Sequence, residues 1–158
     1  MKKSEQSVSV LNDLLILNCE TEKLFLYALC QVEDKILKNF FSVAGYERTS
    51  FIKSLDASIR ENGDVPTYYD VSDINNSMKN SSLIKALKTQ DVQLLLNEAG
   101  KIQMLDIEKY QKILNNVEFS DTDEELLESQ QDIIVKSLYG IEVYKDFYVQ
   151  QSMPYKAS

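Results

Sequence analysis

Three acidic side chains, Glu22, Glu47 and Asp106, fall on apolar faces of the sequence when it is read at helical spacing. Apolar residues recur three or four positions away from each of them, which is the spacing of residues that share one face of an α-helix. A carboxylate in an apolar interior costs several kcal/mol unless it is paired, hydrogen-bonded or protonated. The sequence therefore predicts that these groups either bind a metal ion or belong to an internal hydrogen-bonded cluster.

The metal interpretation places Fe or Mn among Glu22, Glu47 and Asp106, with Gln103 as a fourth, degenerate position. Hard oxygen ligands suit such cations, and water would complete the coordination shell. The chain contains no histidine, which removes the commonest general base, the Ser-His and Cys-His nucleophile systems and every His-containing metal motif. We therefore assign no catalytic residue, expect no cofactor and do not expect an enzyme.

Two other interpretations of the acidic positions stay open. Glu22 or Glu47 can be hydrogen-bonded inside the protein, to Gln103 or Gln130, or can pair with Arg48 or a tyrosine hydroxyl. Alternatively, the apolar faces are wide, and the polar groups reach solvent at their edges. In both cases the cluster would be structural.

The elements that must position these residues are helices. The 158 residues include only four glycines and two prolines, so long runs lack any residue that breaks a helix. Helical periodicity predicts four long helices, at about 8–36, 38–62, 91–116 and 122–149, within one all-α domain, 1–158. The segment 63–90 forms a long crossover with a short helix in "SLIKALK". The end of the chain, "QQSMPYKAS", is interpreted as a frayed end or a partner-contacting arm.

The order of these elements favours a ferritin-like four-helix bundle. Short loops join the first two and the last two helices into antiparallel hairpins, and the crossover is long enough to run the length of a bundle. Two hairpins joined by one long crossover form the ferritin-like layout. An up-down-up-down bundle is the alternative, in which the long segment folds back on itself.

Several stretches also resemble an uncharacterised bacterial family of ferritin-like four-helix bundles. The stretches are "LNDLLILNCETEKLF", "LKNFFSVAGYERTSFIKSLDASIRENGDVP", "SLIKALKTQD" and "NEAGKIQMLDIEKYQKIL". The resemblance implies a ferritin-like fold and brings no known activity. Gln103 stands where the family usually has Glu, and the chain lacks the full ligand set of ferritins and rubrerythrins, so the resemblance does not imply di-iron activity.

Charge and composition restrict the partners. The net charge is −8, from 17 basic and 25 acidic residues, so nucleic acid is not expected as a partner. No basic amphipathic helix or long apolar run favours a membrane, and no signal peptide is visible, which predicts a cytoplasmic protein. Cys19 and Cys30 lie too far apart on one helix to form a disulfide, and we expect both to be buried.

Three hypotheses about function follow. The first is a non-enzymatic, stress-associated bundle protein with a structural polar cluster that forms a homo-oligomer, specifically a dimer. The second is a metal-binding ferritin-like protein with a histidine-free carboxylate site. The third is a helical interaction module, in which the crossover binds an unknown protein partner.

Overall fold

The computed structural model describes the backbone of residues 2–152 and the side chains of residues 6–70 and 72–150. The described backbone forms six helices: α1 (Lys2–Gln31), α2 (Lys35–Glu61), α3 (Val71–Lys79), α4 (Ser82–Leu87), α5 (Val92–Asn116) and α6 (Asp121–Ser152). No strand occurs in residues 2–152. The protein is therefore all-helical, with long helices α1, α2, α5 and α6 and short helices α3 and α4 between them. The tail interpreted as a partner-contacting arm lies mostly beyond Ser152, outside the described residues.

The turn between α1 and α2 lies at residues 32–34, earlier than the predicted break at 36–38. Asp34 sets this position because its side chain accepts hydrogen bonds from the backbone N–H groups of Ile36 and Leu37. These bonds satisfy donors that the first turn of a helix leaves free. In the hairpin, Gly45 of α2 lies so close to Leu26 of α1 that an added Cβ would come within 2.6 Å of Leu26 Cδ2.

The crossover begins at Gly63, which has a φ of +84° and follows the end of α2, where helices commonly place a glycine. Its first residues lie along the first hairpin: the Thr67 N–H donates to Asn12 Oδ1 at 2.7 Å, and the Tyr68 hydroxyl donates to Asp56 Oδ2. Tyr69 lies close to Glu20 of α1. The "SLIKALK" prediction coincides with α4, which packs against both α1 and α5.

Side chains also set the start of the second hairpin. Asp91 accepts a hydrogen bond from the Leu94 N–H at 3.2 Å and caps α5. The Ser120 hydroxyl accepts a hydrogen bond from the Asp123 N–H at 3.2 Å. Helix α6 therefore begins one residue earlier than predicted, and it extends to Ser152. Aspartate and serine at these positions are the residue types that helix starts prefer.

Neighbouring long helices run antiparallel. Thr21 of α1 contacts Asp106 of α5, and Asn18 of α1 contacts Tyr110 of α5. Residue numbers therefore increase along α1 in the direction in which they decrease along α5. Residues near both ends of α2 make the equivalent contacts with α6. The crossover therefore carries the chain from the end of α2 to the opposite end of the molecule, where Gln90 donates to the Gln31 carbonyl of α1.

The apolar core consists of two clusters, one toward each end of the long helices. The cluster near the α1–α2 turn includes Phe25, Phe41, Leu95 and Ile141. The other includes Leu15, Leu55, Tyr110 and Leu127. Between them, at the middle of the long helices, the buried positions are largely polar. None of the described helices is long and apolar enough to cross a membrane.

Candidate functional site

The polar layer between the two apolar clusters is centred on Arg48 of α2, which is 1% exposed. Its Nη1 donates to Asn18 Oδ1 at 2.9 Å and lies 2.8 Å from Asp106 Oδ2. Its Nη2 donates to Gln103 Oε1 at 2.5 Å. One guanidinium thus links α2 to both α1 and α5, using the fixed fork of donors that distinguishes arginine from lysine.

Further hydrogen bonds extend this cluster to α6. Asn18 Nδ2 donates to the Tyr110 hydroxyl at 2.8 Å, and that hydroxyl donates to Gln130 Oε1 at 2.7 Å. On the other side of Arg48, Gln103 Nε2 donates to Ser137 Oγ at 2.8 Å. We call these residues, with Thr21, the Arg48 cluster; it joins all of the long helices.

Burial dominates the electrostatics of the cluster. It raises the pKa of Asp106, while Arg48 and the Thr21 hydroxyl, 2.7 Å from Oδ2, act in the opposite direction. It also raises the pKa of Tyr110, which stays a neutral donor at ordinary pH. Among the described residues, every buried side-chain nitrogen and oxygen has a hydrogen-bond partner. We therefore take Arg48 and Asp106 as an ion pair whose desolvation is offset by a complete set of hydrogen bonds.

The structure places the four predicted site residues in three surroundings. Gln103 and Asp106 belong to the Arg48 cluster and are 1% and 4% exposed. Glu22 is half-buried at the edge of its helix face and accepts a hydrogen bond from Thr49 Oγ1 at 2.5 Å. Glu47 is half-buried in a cleft between α2 and α6, where burial raises its pKa.

The described side chains at these positions do not come together as one acidic group. Among the described side chains, no group of three or more His, Cys, Asp or Glu is placed to hold one. Gln103 Oε1 and Asp106 Oδ2, the buried oxygens of the predicted set, both face the Arg48 guanidinium. A second positive charge beside them would meet direct repulsion in a poorly hydrated interior.

Sequence reasoning mentioned Arg48 only as a partner for a glutamate and missed its central position. Glu47 lies three residues after Ala44 and four before Phe51, the spacing that predicts it on the apolar face of α2. In the structure Arg48 occupies this turn of the buried face instead. Spacing of three or four residues allows either position, and arginine is rarely fully buried. Arg48 is four residues from Ala44, three from Phe51 and seven from Leu55. This helical spacing was the signal in the sequence that Arg48 shares their buried face.

Two smaller polar contacts join α2 to α6 at its ends. At one end, the Ser58 hydroxyl and Asn62 Nδ2 donate to the buried Asp123 carboxylate. At the other end, the Tyr148 hydroxyl donates to Asp34, the residue that caps α2. Between these contacts lies the α2–α6 cleft, with a volume of about 320 Å³.

A second depression, the α5–α6 groove, lies on the outer side of the second hairpin and has a volume of about 620 Å³. Its apolar lining includes Met104 and Leu105, which are 48% and 64% exposed. Two ion pairs flank it, Lys101 with Glu98 at 3.1 Å and Lys145 with Glu142 at 3.6 Å.

The two cysteines are free and have different surroundings. Cys19 is buried, as expected, but Cys30 is exposed, which corrects the prediction that both are buried. Burial raises the pKa of Cys19 to about 11, with Glu22 and Glu20 adding to the shift.

Comparison of the sequence with models of known protein families and with curated proteins gave no match.

Proposed function

We propose that the chain is a non-enzymatic, ferritin-like four-helix bundle in which the Arg48 cluster has a structural role. The layout supports this fold: two helical hairpins, antiparallel neighbours and a crossover that links opposite ends of the long helices. The two free cysteines suit a reducing compartment such as the cytoplasm.

The observation that carries the proposal is the position of the Arg48 guanidinium. A positive charge already stands among the oxygens that would otherwise attract a cation, at 2.8 Å from Asp106. Because each of its hydrogen bonds has a direction, the cluster favours one axial register of α1, α2 and α5, whereas apolar packing alone tolerates small slips. We therefore assign the cluster to alignment of the helices.

Metal analysis tests this proposal directly. The purified protein is incubated with Fe(II) or Mn(II), desalted and analysed for its elemental content, and we expect far less than one ion per chain. The first double variant, Glu22→Ala with Glu47→Ala, removes two carboxylates of the predicted metal site. The second, Glu128→Ala with Asp132→Ala, is the control and removes two exposed carboxylates elsewhere. One or two retained ions per chain, lost in the first double variant and kept in the second, would overturn the structural role.

A homodimer formed through the α5–α6 groove is the second proposal. The groove combines exposed apolar side chains with two lysines and two glutamates, so its charges balance and a second copy meets no net repulsion there. A two-fold interface places the same surface on both copies.

Sedimentation at micromolar concentration tests the dimer. We expect Leu105→Lys to shift the protein toward the monomer, because Leu105 is 64% exposed in the groove. The control is Val143→Lys on α6, a site that is 63% exposed and does not line the groove. A monomeric wild-type protein, or equal effects of both substitutions, would contradict the proposal.

A further inference from the structure

The α2–α6 cleft has the composition of a small ligand site. Phe40, Ala44 and Glu47 of α2 and Ser137, Gly140 and Tyr144 of α6 line it. Binding pockets for small molecules combine apolar and aromatic walls with a few polar groups, in volumes from about 300 Å³ upward. The volume here, about 320 Å³, lies at the lower end of that range.

Of the two charged residues that line this cleft, Glu47 is the one without a partner among the described residues. The structure gives it no hydrogen bond and no ion pair among the described residues, whereas Glu22 is bound by Thr49 and Asp106 by Arg48 and Thr21. Burial raises its pKa, and Arg48 opposes this only as a neighbouring charge. A half-buried carboxylate beside apolar walls gains from any cation that replaces the lost water.

The other charged residue of the cleft already has a partner. Lys136 lies at the rim, its side chain is 75% exposed, and its Nζ is 3.0 Å from Asp132. The uncompensated charge of the cleft is therefore negative. The chain as a whole carries a net charge of −8, which also attracts cations and repels anions.

We propose that the α2–α6 cleft binds a small organic cation, an alkylammonium or arylalkylammonium ion, with the Glu47 carboxylate as its counterion. The Phe40 and Tyr144 rings provide the apolar and cation–π contacts that such ions favour. This site is separate from the structural role proposed for the Arg48 cluster and does not depend on it.

The size of the cleft indicates the size of the ligand. A protein cavity of about 150 Å³ accommodates benzene, so about 320 Å³ suits one ring with a short aminoalkyl chain, or an aliphatic amine of similar volume. Gly140 contributes to this space, since a Cβ added there meets no atom within 4 Å. A larger side chain at position 140 would occupy the cleft without a clash at its first carbon.

The test compares two probes of nearly equal shape, phenethylammonium and neutral 2-phenylethanol. Each is titrated into the wild-type protein, and binding is followed by the amide NMR shifts of Ser137, Gly140 and Tyr144. We expect saturable shifts with phenethylammonium. The affinity for 2-phenylethanol should be weaker by about tenfold or more, which is the difference expected for one charge-assisted hydrogen bond.

Three variants localise the site. Glu47→Gln should reduce the affinity for phenethylammonium about tenfold and abolish the preference for the charged probe. Gly140→Leu should abolish binding of both probes, with a melting temperature no lower than that of the wild type. Glu128→Gln, which removes an exposed carboxylate elsewhere on α6, is the control and should leave the affinity unchanged.

Each outcome supports or overturns the proposal. It fails if phenethylammonium does not bind, if both probes bind equally, if Glu47→Gln keeps the preference, or if folded Gly140→Leu still binds. Should a variant fail to fold, the comparison of the two probes on the wild-type protein still decides whether a charged group is recognised. Metal retention by the protein would contradict only the structural role of the Arg48 cluster and would not bear on the cation site. The two proposals can therefore fail separately.

Discussion

The Nη1 atom of Arg48 lies 2.8 Å from Oδ2 of Asp106, and both side chains are almost fully buried. The pair joins the first helical hairpin to the second across the centre of the molecule. A buried ion pair is a weak source of net stability, but removal of one partner leaves an uncompensated charge in the interior. This asymmetry makes the pair accessible to experiment.

The first prediction concerns this pair. We expect Arg48→Met and Asp106→Asn each to lower the free energy of unfolding by about 3–5 kcal/mol, the usual cost of breaking a buried pair. Because both changes remove the same contact, the double variant should lose less than the sum, by about 1 kcal/mol or more. Urea denaturation of all four proteins measures this coupling, and additive losses would show that the two residues act independently.

The second prediction concerns the pH dependence due to Glu47. Burial raises its pKa in the folded protein, so the folded state is disfavoured relative to the unfolded state once the pH rises through this pKa and the group ionises. Glu47→Gln should therefore stabilise the protein at pH 7 by less than about 1 kcal/mol, because the exposed half of the side chain is screened by water.

This gain should vanish below about pH 4, where glutamate is protonated in both states. Thermal unfolding at both pH values measures the difference. Glu128→Gln is the control for the loss of one negative charge from an acidic chain. A gain that is equal at both pH values would contradict the assignment to Glu47.

The third prediction compares two glycines within helices. Gly140→Ala should raise the free energy of unfolding by about 0.5–1 kcal/mol, because alanine favours the helix and the added methyl group enters open space. Gly45→Ala should lower it, because the methyl group would come within 2.6 Å of Leu26 Cδ2 and overpacking typically costs about 1–3 kcal/mol. Urea denaturation gives both values, and a stabilised Gly45→Ala would mean that Leu26 moves aside easily.

The fourth prediction concerns the thiols. With dithionitrobenzoate at neutral pH, the folded protein should release one equivalent quickly, from the exposed Cys30. Cys19 should react only after unfolding, because it is buried and its pKa is raised to about 11. Cys30→Ser should accordingly be unreactive until urea is added, and rapid reaction of this variant would show that α1 opens near Cys19.

The sequence predicted the all-helical fold and much of the buried surface because long apolar periodicities average over many residues. Leu11, Leu15 and Asn18 on α1, and Gln103, Asp106 and Tyr110 on α5, recur at intervals of three or four residues and are buried. Where a single position decided the outcome, periodicity was insufficient. Glu22 reached the edge of its face, and Arg48 took the buried position predicted for Glu47.

The candidate site was harder to predict than the fold because it depends on pairing across helices. Helical spacing shows which face a side chain occupies, but it does not show that Gln103 and Asp106 meet an arginine from α2. Nor does it reveal a cleft between α2 and α6, since the cleft arises from the small size of Gly140 and the separation of two helices. These features are set by packing, which one sequence specifies only through many weak preferences acting together.

Asp34 Oδ1 accepts hydrogen bonds from the backbone of Ile36 and Leu37 and from the hydroxyl of Tyr148, which is 114 positions further along the chain. During synthesis, α2 can acquire its cap as soon as the first hairpin has emerged. The bond from Tyr148 can form only when almost the entire chain has been made. The same oxygen atom therefore takes part in one of the earliest and one of the latest contacts available to the growing protein.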